Sequence, residues 1–182
     1  MKSMPRKSQR EVKKSEKQLI SMLKSNARLS AYALGKKLGC SRQKVWRMNK
    51  ELEKNNIIWG YTTVINEKKR GNNYFILLIK RSGEKIDDEL CRSLLKDTMA
   101  DIIEVEDISV ESFMCLYGSF DWLIAVTAPD VYAVKSFMYK FRTALSDYID
   151  EVVMLETLTI LKKNWIKNPS CVKNEEMISN LL

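Results

Sequence analysis

The chain has 182 residues, of which 45% are hydrophobic and 30% charged, which suits two small domains of an ordinary water-soluble protein. No apolar run approaches the roughly 20 residues of a membrane span, and no secretory leader follows the basic N-terminus, so we expect a cytoplasmic protein without a membrane partner. Residues 1–70 carry 19 Lys and Arg against 5 Asp and Glu, whereas residues 71–182 carry 12 against 18. This division favours a nucleic-acid-binding half followed by a half with another role.

The side chains of common catalytic and metal sites are scarce. The chain has no histidine, and its four cysteines, Cys40, Cys91, Cys115 and Cys171, are scattered without a C-x-x-C pair. We therefore expect reduced thiols, no metal site, no cofactor and no histidine-dependent catalysis, and we predict that the protein is not an enzyme.

The first predicted elements are three helices that form a helix-turn-helix unit. The first begins near Ser15 and ends at Asn26. Ser30 caps the second, Gly39 ends it, and Ser41 caps the third. The apolar positions of the three helices are Leu19, Ile20 and Leu23; Ala33, Leu34 and Leu38; and Val45, Met48 and Leu52.

The third helix has the residues of a DNA recognition helix. Gln43, Arg47 and Lys50 lie opposite the apolar stripe, while Arg42 and Lys44 occupy the first turn, where the helix dipole disfavours cations unless an anion is present. Arg and Gln suit bidentate hydrogen bonds with guanine and adenine. We predict binding to double-stranded DNA, the alternative being a merely solvated charged face. The predicted DNA-binding residues are Ser41, Arg42, Gln43, Lys44, Trp46, Arg47 and Lys50.

The segments on either side of these helices are also expected to serve DNA binding. Residues 1–14, with six Lys and Arg against one Glu, predict a disordered basic arm. The stretch IIWGYTTVIN, residues 57–66, is rich in β-branched and aromatic residues and predicts a strand or strand pair, a wing. The polar KKRGNN, residues 68–73, then predicts a linker, with a domain boundary near residue 70.

The second half alternates strands and helices in the order β-α-β-β-α-β, the ferredoxin-like arrangement, which makes the fold α+β. The second helix is capped by Asp130 and has an apolar face formed by Val131, Val134, Met138, Phe141 and Leu145. The predicted strands are residues 74–80, 110–118, 122–128 and 152–161, and the first helix is residues 87–96.

The central strands predict self-association. FILLI and WLIAV do not alternate with polar residues, so both faces of the sheet are apolar there. Two helices cover only one face of such a sheet, and we expect the other face to pack against a second copy in a homodimer. A two-fold dimer would present two recognition helices to the half-sites of a pseudopalindrome.

Three stretches, NARLSAYALGKKLGCS, LEKNNIIWGY and LYGSFDWLIAV, resemble the Lrp/AsnC, or feast/famine, family of prokaryotic transcriptional regulators over about residues 15–162. The resemblance implies a winged helix-turn-helix domain over residues 15–70 and a regulation-of-amino-acid-metabolism (RAM) domain over residues 71–162. It also implies dimers that assemble further, often to octamers, and an amino-acid effector bound between dimers. The tail, residues 163–182, lies outside the resemblance and is either a docking helix or disordered.

The stretch GSFD, residues 118–121, is similar to the family's Gly-x-Tyr/Phe-Asp turn beside the effector pocket. The resemblance implies an effector site formed by Gly118, Phe120, Asp121 and Thr157; a simple hairpin turn and a strand threonine are the alternative. Two other functions stay open. One is an architectural DNA-binding protein of low sequence specificity, and the other is an enzyme like the sirohaem decarboxylases, which the absence of histidine disfavours.

Overall fold

The computed structural model describes residues 9–95, 107–172 and Ser179. The chain divides into two compact units, one formed by residues up to Val64 together with those from Ile160 onward, the other by Ile65–Thr159. The expected boundary near residue 70 therefore lies inside the second unit, and the C-terminal segment groups with the helix-turn-helix residues. No helix in the described part of the chain is both long enough and apolar enough to cross a membrane.

The first unit contains the three predicted helices, α1 (Gln9–Ser25), α2 (Ala31–Leu38) and α3 (Arg42–Lys54). Helix α1 begins six residues earlier than predicted, so residues 9–14 of the expected disordered arm are helical; no Gly or Pro interrupts them. Residues 1–8 of that arm lie outside the described residues. The buried side chains of this unit's core are Leu19, Leu23, Leu34, Val45, Met48 and Leu52.

A tight turn joins α2 to α3. Gly39 ends α2 in the left-handed region with φ 62°, and the backbone N–H of Cys40 donates to the carbonyl oxygen of Gly35 at 2.9 Å. A Cβ placed on Gly35 would lie 2.7 Å from the carbonyl oxygen of Cys40, closer than real Cβ contacts. The turn therefore packs on α2 at a distance that requires glycine, and this fixes the start of α3.

The predicted wing is wrong, because residues 57–66 contain no β-strand. Asn56 adopts φ 54°, and the N–H groups of Ile57 and Ile58 both donate to the carbonyl oxygen of Leu52, so the chain turns back on the end of α3. The indole of Trp59 then donates to the carbonyl oxygen of Asn56 at 2.8 Å. Residues of high β-propensity form a strand only beside a partner strand, and none pairs with this segment in the described part of the chain.

The second unit confirms the predicted β-α-β-β-α-β order and the α+β class. The elements are β1 (Asn73–Arg81), α4 (Asp88–Leu95), β2 (Ser109–Cys115), β3 (Trp122–Ala128), α5 (Val131–Ala144) and β4 (Ile149–Glu156). The four strands form an antiparallel sheet in the order β2-β3-β1-β4, with a short 3-10 helix at Glu67–Arg70 before β1 and another at Ser146–Tyr148 before β4.

Two of the predicted strands have limits that differ from the observed ones by more than one residue. Strand β2 stops at Cys115, because the next N–H group, that of Leu116, bonds to the carbonyl oxygen of Asp121 and closes a turn. Strand β4 begins at Ile149, where pairing with β1 continues past an irregularity at Arg81, and it ends at Glu156. Thr157 thus lies just beyond the last long strand and not within it.

Both helices of the second unit cover one face of the sheet. Alternate residues of β1 and β3 point to this face and are buried, and Leu90 of α4 joins them. The carboxylate of Asp130 caps α5 by accepting from the N–H groups of Tyr132 and Ala133. The buried core comprises Phe75, Leu77, Ile79, Leu90, Trp122, Ile124, Val126, Ala128, Val134, Phe137, Phe141, Leu145 and Ile149.

The described end of the chain forms a small hairpin and a short helix within the first unit. Strand β5 (Lys162–Lys163) pairs antiparallel with β6 (Ile166–Lys167), and helix α6 spans Pro169–Val172. The hairpin was not predicted, whereas a helix was one of the two alternatives for the tail, and residues 173–178 and 180–182 lie outside the described residues.

Candidate DNA-binding surface

Helix α3 has one buried face and one cationic face, as its sequence predicts. Val45, Met48 and Leu52 are buried against α1 and α2. The opposite face exposes the cationic and polar side chains, and the indole of Trp46 is 59% exposed among them. Of the predicted DNA-binding residues, Ser41, Arg42, Gln43, Trp46, Arg47 and Lys50 are exposed and Lys44 is half-buried.

The start of α3 has the electrostatics of an anion site. Its first turn contains Arg42 and Lys44 and no acidic residue. The hydroxyl of Ser41 accepts from the backbone N–H of Lys44 at 3.3 Å, which satisfies one of the free donors at the helix end. The remaining N–H groups, the helix dipole and two cationic side chains all favour an anion such as a DNA phosphate.

Two arginines on this surface have no acidic partner. Among the described residues, neither Arg42 nor Arg47 forms an ion pair with a carboxylate. A guanidinium group that is exposed and unpaired keeps all its N–H donors available for a phosphate or a guanine edge. These two side chains are therefore the best-placed groups of α3 for contacts with DNA.

Lys50 differs from the arginines, because it already has an acidic partner. Its ammonium donates to Glu53 at 2.9 Å, and the hydroxyl of Tyr61 donates to the same carboxylate at 3.2 Å. The Lys50 hydrogen bond holds the pKa of Glu53 below its usual range. Partial burial, followed by the Glu53 hydrogen bond, raises the pKa of Tyr61. The i,i+3 spacing of Lys50 and Glu53 was the sequence feature that could have predicted the pair.

The GSFD turn is held firmly to the end of the sheet. Gly118 has φ 154°, which favours glycine, and Phe120 is half-buried. The Oδ2 atom of Asp121 accepts from the backbone N–H of Arg81 at 2.8 Å, and the Asp121 N–H donates to the carbonyl oxygen of Ile79 at 2.8 Å. One carboxylate oxygen of Asp121 thus ties the turn to β1.

Thr157, the fourth predicted effector residue, lies at the other end of the sheet. Its N–H donates to the carbonyl oxygen of Tyr74, near the start of β1, whereas Asp121 contacts Arg81, at the end of that strand. Seven residues of β-strand separate these two points by roughly 20 Å. The structure therefore brings Gly118, Phe120 and Asp121 together but does not bring Thr157 to them within one chain.

Comparisons with known proteins bear on both units. A family model described as an HTH domain matches residues 15–71, and a search of curated proteins found no match. Among solved structures, an AsnC family transcriptional regulator from Agrobacterium tumefaciens is similar over 82% of this chain and 92% of its own, with 19% identity and a TM-score of 0.63. LrpC from B. subtilis is similar over 88% of this chain and 99% of its own, with 21% identity and a TM-score of 0.59.

A third similar structure is that of a transcriptional regulator from Neisseria meningitidis in complex with L-Met. The similarity covers 82% of this chain and 92% of the Neisseria protein, with 20% identity and a TM-score of 0.61. These likenesses confirm the predicted resemblance at the level of the fold. The chain has a helix-turn-helix unit and a ferredoxin-like unit arranged in sequence as in Lrp and AsnC regulators.

Proposed function

We propose that this chain is a sequence-specific DNA-binding transcriptional regulator of the Lrp/AsnC type. The observation that carries the proposal is the exposed face of α3, where Arg42, Gln43 and Arg47 lie opposite the buried stripe of a helix-turn-helix unit. In such units the N-terminal part of the second helix of the motif enters the major groove and contacts base edges. The fold shared with Lrp and AsnC regulators supports the same function.

The side chains of this surface would make two kinds of contact with DNA, to base edges and to phosphates. Arg42, Gln43 and Arg47 contact base edges and provide sequence specificity. Lys44 and Lys50 neutralise phosphates, which contributes affinity that falls steeply with salt and does not depend on sequence. Lys50 contributes less than an unpaired lysine, because Glu53 already compensates its charge.

Binding to DNA of known and scrambled sequence tests the proposal. The purified protein is titrated with its own upstream DNA and with a scrambled duplex of equal length, at several salt concentrations. We expect a preference of at least about a hundredfold for the upstream DNA that persists as salt rises. Equal affinities that fall together with salt would instead favour an architectural DNA-binding protein.

Arg47→Ala separates base contacts from phosphate contacts. The variant should lose roughly 1 to 3 kcal/mol of binding free energy on the preferred duplex and much less on the scrambled one. Arg92→Ala, which removes an exposed arginine from α4 of the other unit, is the matched control and should change neither affinity appreciably. An equal loss on both duplexes would contradict the role of Arg47 in sequence recognition.

The open face of the sheet supports a homodimer. The helices cover one face, while Ile76 and Leu78 of β1 point to the other, beside their cross-strand neighbours Leu123, Val153 and Leu155. All five side chains are apolar and half-buried or exposed, and none belongs to the buried core. Their burial against a second copy would be favourable at about 25 cal/mol per Å² of apolar surface.

Replacing one of these side chains tests the dimer. Leu78→Asp would place a charge in the centre of the interface, and sedimentation velocity should then show monomers where the parent chain sediments as a dimer or a larger assembly such as an octamer. Lys135→Asp, on the exposed side of α5, is the control and should leave the assembly intact. A monomeric parent chain would contradict the proposal.

An amino acid is the effector class that suits the GSFD turn. One Asp121 oxygen binds the Arg81 N–H, and the other oxygen is the acceptor we assign to an α-ammonium group. Thr157 would join this site only from a second chain. Titration calorimetry with a panel of amino acids tests this, using Asp121→Asn as the variant, because an amide oxygen still accepts from Arg81 but lacks the charge. Equal binding by both proteins would contradict the role of Asp121.

A further inference from the structure

The C-terminal hairpin, residues 162–167, is a well-defined element of the first unit. Its two-residue turn, Asn164 and Trp165, has φ of 45° and 70°, the positive values of a type I′ turn. Asn168 closes its base, donating from its backbone to Leu161 at 2.9 Å and from its side chain to the carbonyl oxygen of Ile160 at 2.8 Å. Helix α6 then buries the thiol of Cys171. The backbone that carries the lysines of the hairpin is therefore held in a defined conformation.

The hairpin lies beside the C-terminal end of α1. The ammonium of Lys24, in the last turn of α1, is 4.8 Å from the centre of the Trp165 ring, and that of Lys162 is 5.0 Å from it. Both distances are those of cation–π contacts. Trp165 nonetheless remains 61% exposed, so the ring and the two ammonium groups form a surface that faces solvent.

Like charges are concentrated at this surface. Lys162 and Lys167 are directly paired across the two strands, and like charges in that position are unfavourable. Residues 160–172 contain three lysines and no acidic residue. In the described part of the chain, neither these two lysines nor Lys24 forms an ion pair with a carboxylate. Within the described residues this lysine pair has no carboxylate partner, so binding of an anion such as a phosphate would relieve the repulsion between the two ammonium groups.

We propose that the C-terminal hairpin is a second DNA-contacting element of the unit that carries α3, with Lys162 and Lys167 neutralising phosphates of the same duplex. The inference rests on the proposed function, since it takes DNA as the ligand. Phosphate contacts carry no sequence information, so the hairpin adds affinity equally on specific and scrambled DNA. Trp165 is a positioning residue, whose ring holds the ammonium of Lys162 at the surface through their cation–π contact.

The salt dependence of binding by the double variant Lys162→Ala/Lys167→Ala tests the hairpin. Loss of two phosphate contacts should reduce the slope of log K against log salt by about 1.8 per chain. The affinity deficit should then be about tenfold larger at 50 mM than at 200 mM salt, and equal on both duplexes. The control Lys85→Ala/Lys135→Ala removes the same charge from exposed sites of the other unit and should leave the slope near its parent value.

Three results would overturn the inference. They are an unchanged slope in the hairpin variant, an equal change in the control, and a lower melting temperature of the free hairpin variant, which would show that the lysines hold the structure. Failure of the proposed function is distinguishable, because it appears as equal affinity of the parent chain for both duplexes. The slopes of the two variants can then still be compared on either duplex.

Discussion

Gly35→Ala measures how closely the turn of the helix-turn-helix unit packs on α2. Replacing a helical glycine by alanine normally stabilises a helix by about 1 kcal/mol. Here the added Cβ would lie 2.7 Å from the carbonyl oxygen of Cys40, a backbone atom that cannot rotate away. Overpacking in a packed core costs about 1 to 3 kcal/mol, and contact with a backbone atom places this overlap in the upper half of that range, at about 2 to 3 kcal/mol. The variant should therefore be less stable by about 1 to 2 kcal/mol.

Urea and thermal unfolding followed by circular dichroism measure this change. For a unit of this size, 1 kcal/mol corresponds to a shift in Tm of about 4 to 8 °C. Gly60→Ala is the matched control, since a Cβ there meets nothing within 4 Å and the site lies in the same unit. The gain in helix stability and the cost of the overlap have opposite signs, and we expect the overlap to dominate. A Gly35→Ala variant as stable as the parent, or more stable, would refute the reasoning.

Three further predictions concern single side-chain contacts. Ser41→Ala removes the N-cap of α3 and should lower stability by about 1 kcal/mol in the same unfolding experiments. Glu53→Gln releases Lys50 from its ion pair, so affinity for scrambled DNA should rise and its salt slope should steepen by about 0.9 in a binding titration. Tyr148→Phe removes a 2.9 Å hydrogen bond to Asp87, so an NMR titration should find the pKa of Asp87 raised but still below its ordinary value, because the N–H bond from Leu90 remains.

Each of these predictions has a clear contradicting result. Ser41→Thr keeps a hydroxyl at the N-cap and should cost much less than Ser41→Ala, so equal losses in the alanine and threonine variants would deny the hydroxyl a capping role. An unchanged salt slope in Glu53→Gln would show that Lys50 takes no part in DNA binding. An unchanged pKa of Asp87 in Tyr148→Phe would show that the hydroxyl does not stabilise the carboxylate.

The Asp87–Tyr148 pair also has a defined pH dependence. Hydrogen bonds from the Leu90 N–H and then from the Tyr148 hydroxyl lower the pKa of Asp87, so its contribution to stability is lost as pH falls through that lowered value. The hydrogen bond to Asp87 raises the pKa of Tyr148, so its contribution is present below the ordinary tyrosine pKa and is lost as pH rises through the raised value. Tyr148→Phe should abolish the alkaline loss and reduce the acid loss, which persists in part through the hydrogen bond from the Leu90 N–H.

The sequence predicted those elements that local rules determine. Ser30 and Ser41 marked helix starts because an N-cap needs only a side chain and a neighbouring N–H group, and Gly39 marked an end because glycine readily adopts the left-handed conformation there. The buried stripe of α3 and the strand at Trp122–Ala128 followed from periodicity and apolar content. The exposure of the predicted recognition residues followed in turn, since burial of one helix face exposes the other.

The predictions that were wrong or absent depend on contacts between residues distant along the chain, or on a close approach between two parts of the backbone. Trp59 and its neighbours have β-propensity but no partner strand, which no local pattern reveals. The β-branched and apolar residues of 152–161 predict that Thr157 lies in the last strand, and only the pairing of β1 with β4 shows where that strand ends. The need for glycine at position 35 depends on a carbonyl oxygen five residues away, and periodicity does not predict a single close approach. The C-terminal hairpin was missed although Asn164 favours positive φ.

The acid-free first turn of α3 makes the stability of this unit dependent on its ligand. Free protein bears the unfavourable interaction of Arg42 and Lys44 with the helix dipole, and a bound phosphate removes it. Because such a ligand binds the folded chain, the free energy of unfolding rises by RT ln(1 + [L]/Kd), and the melting temperature rises with it. Under the proposed function, thermal melting in the presence of different duplexes would thus rank them by affinity, and bound DNA would stabilise the fold of the unit that contacts it.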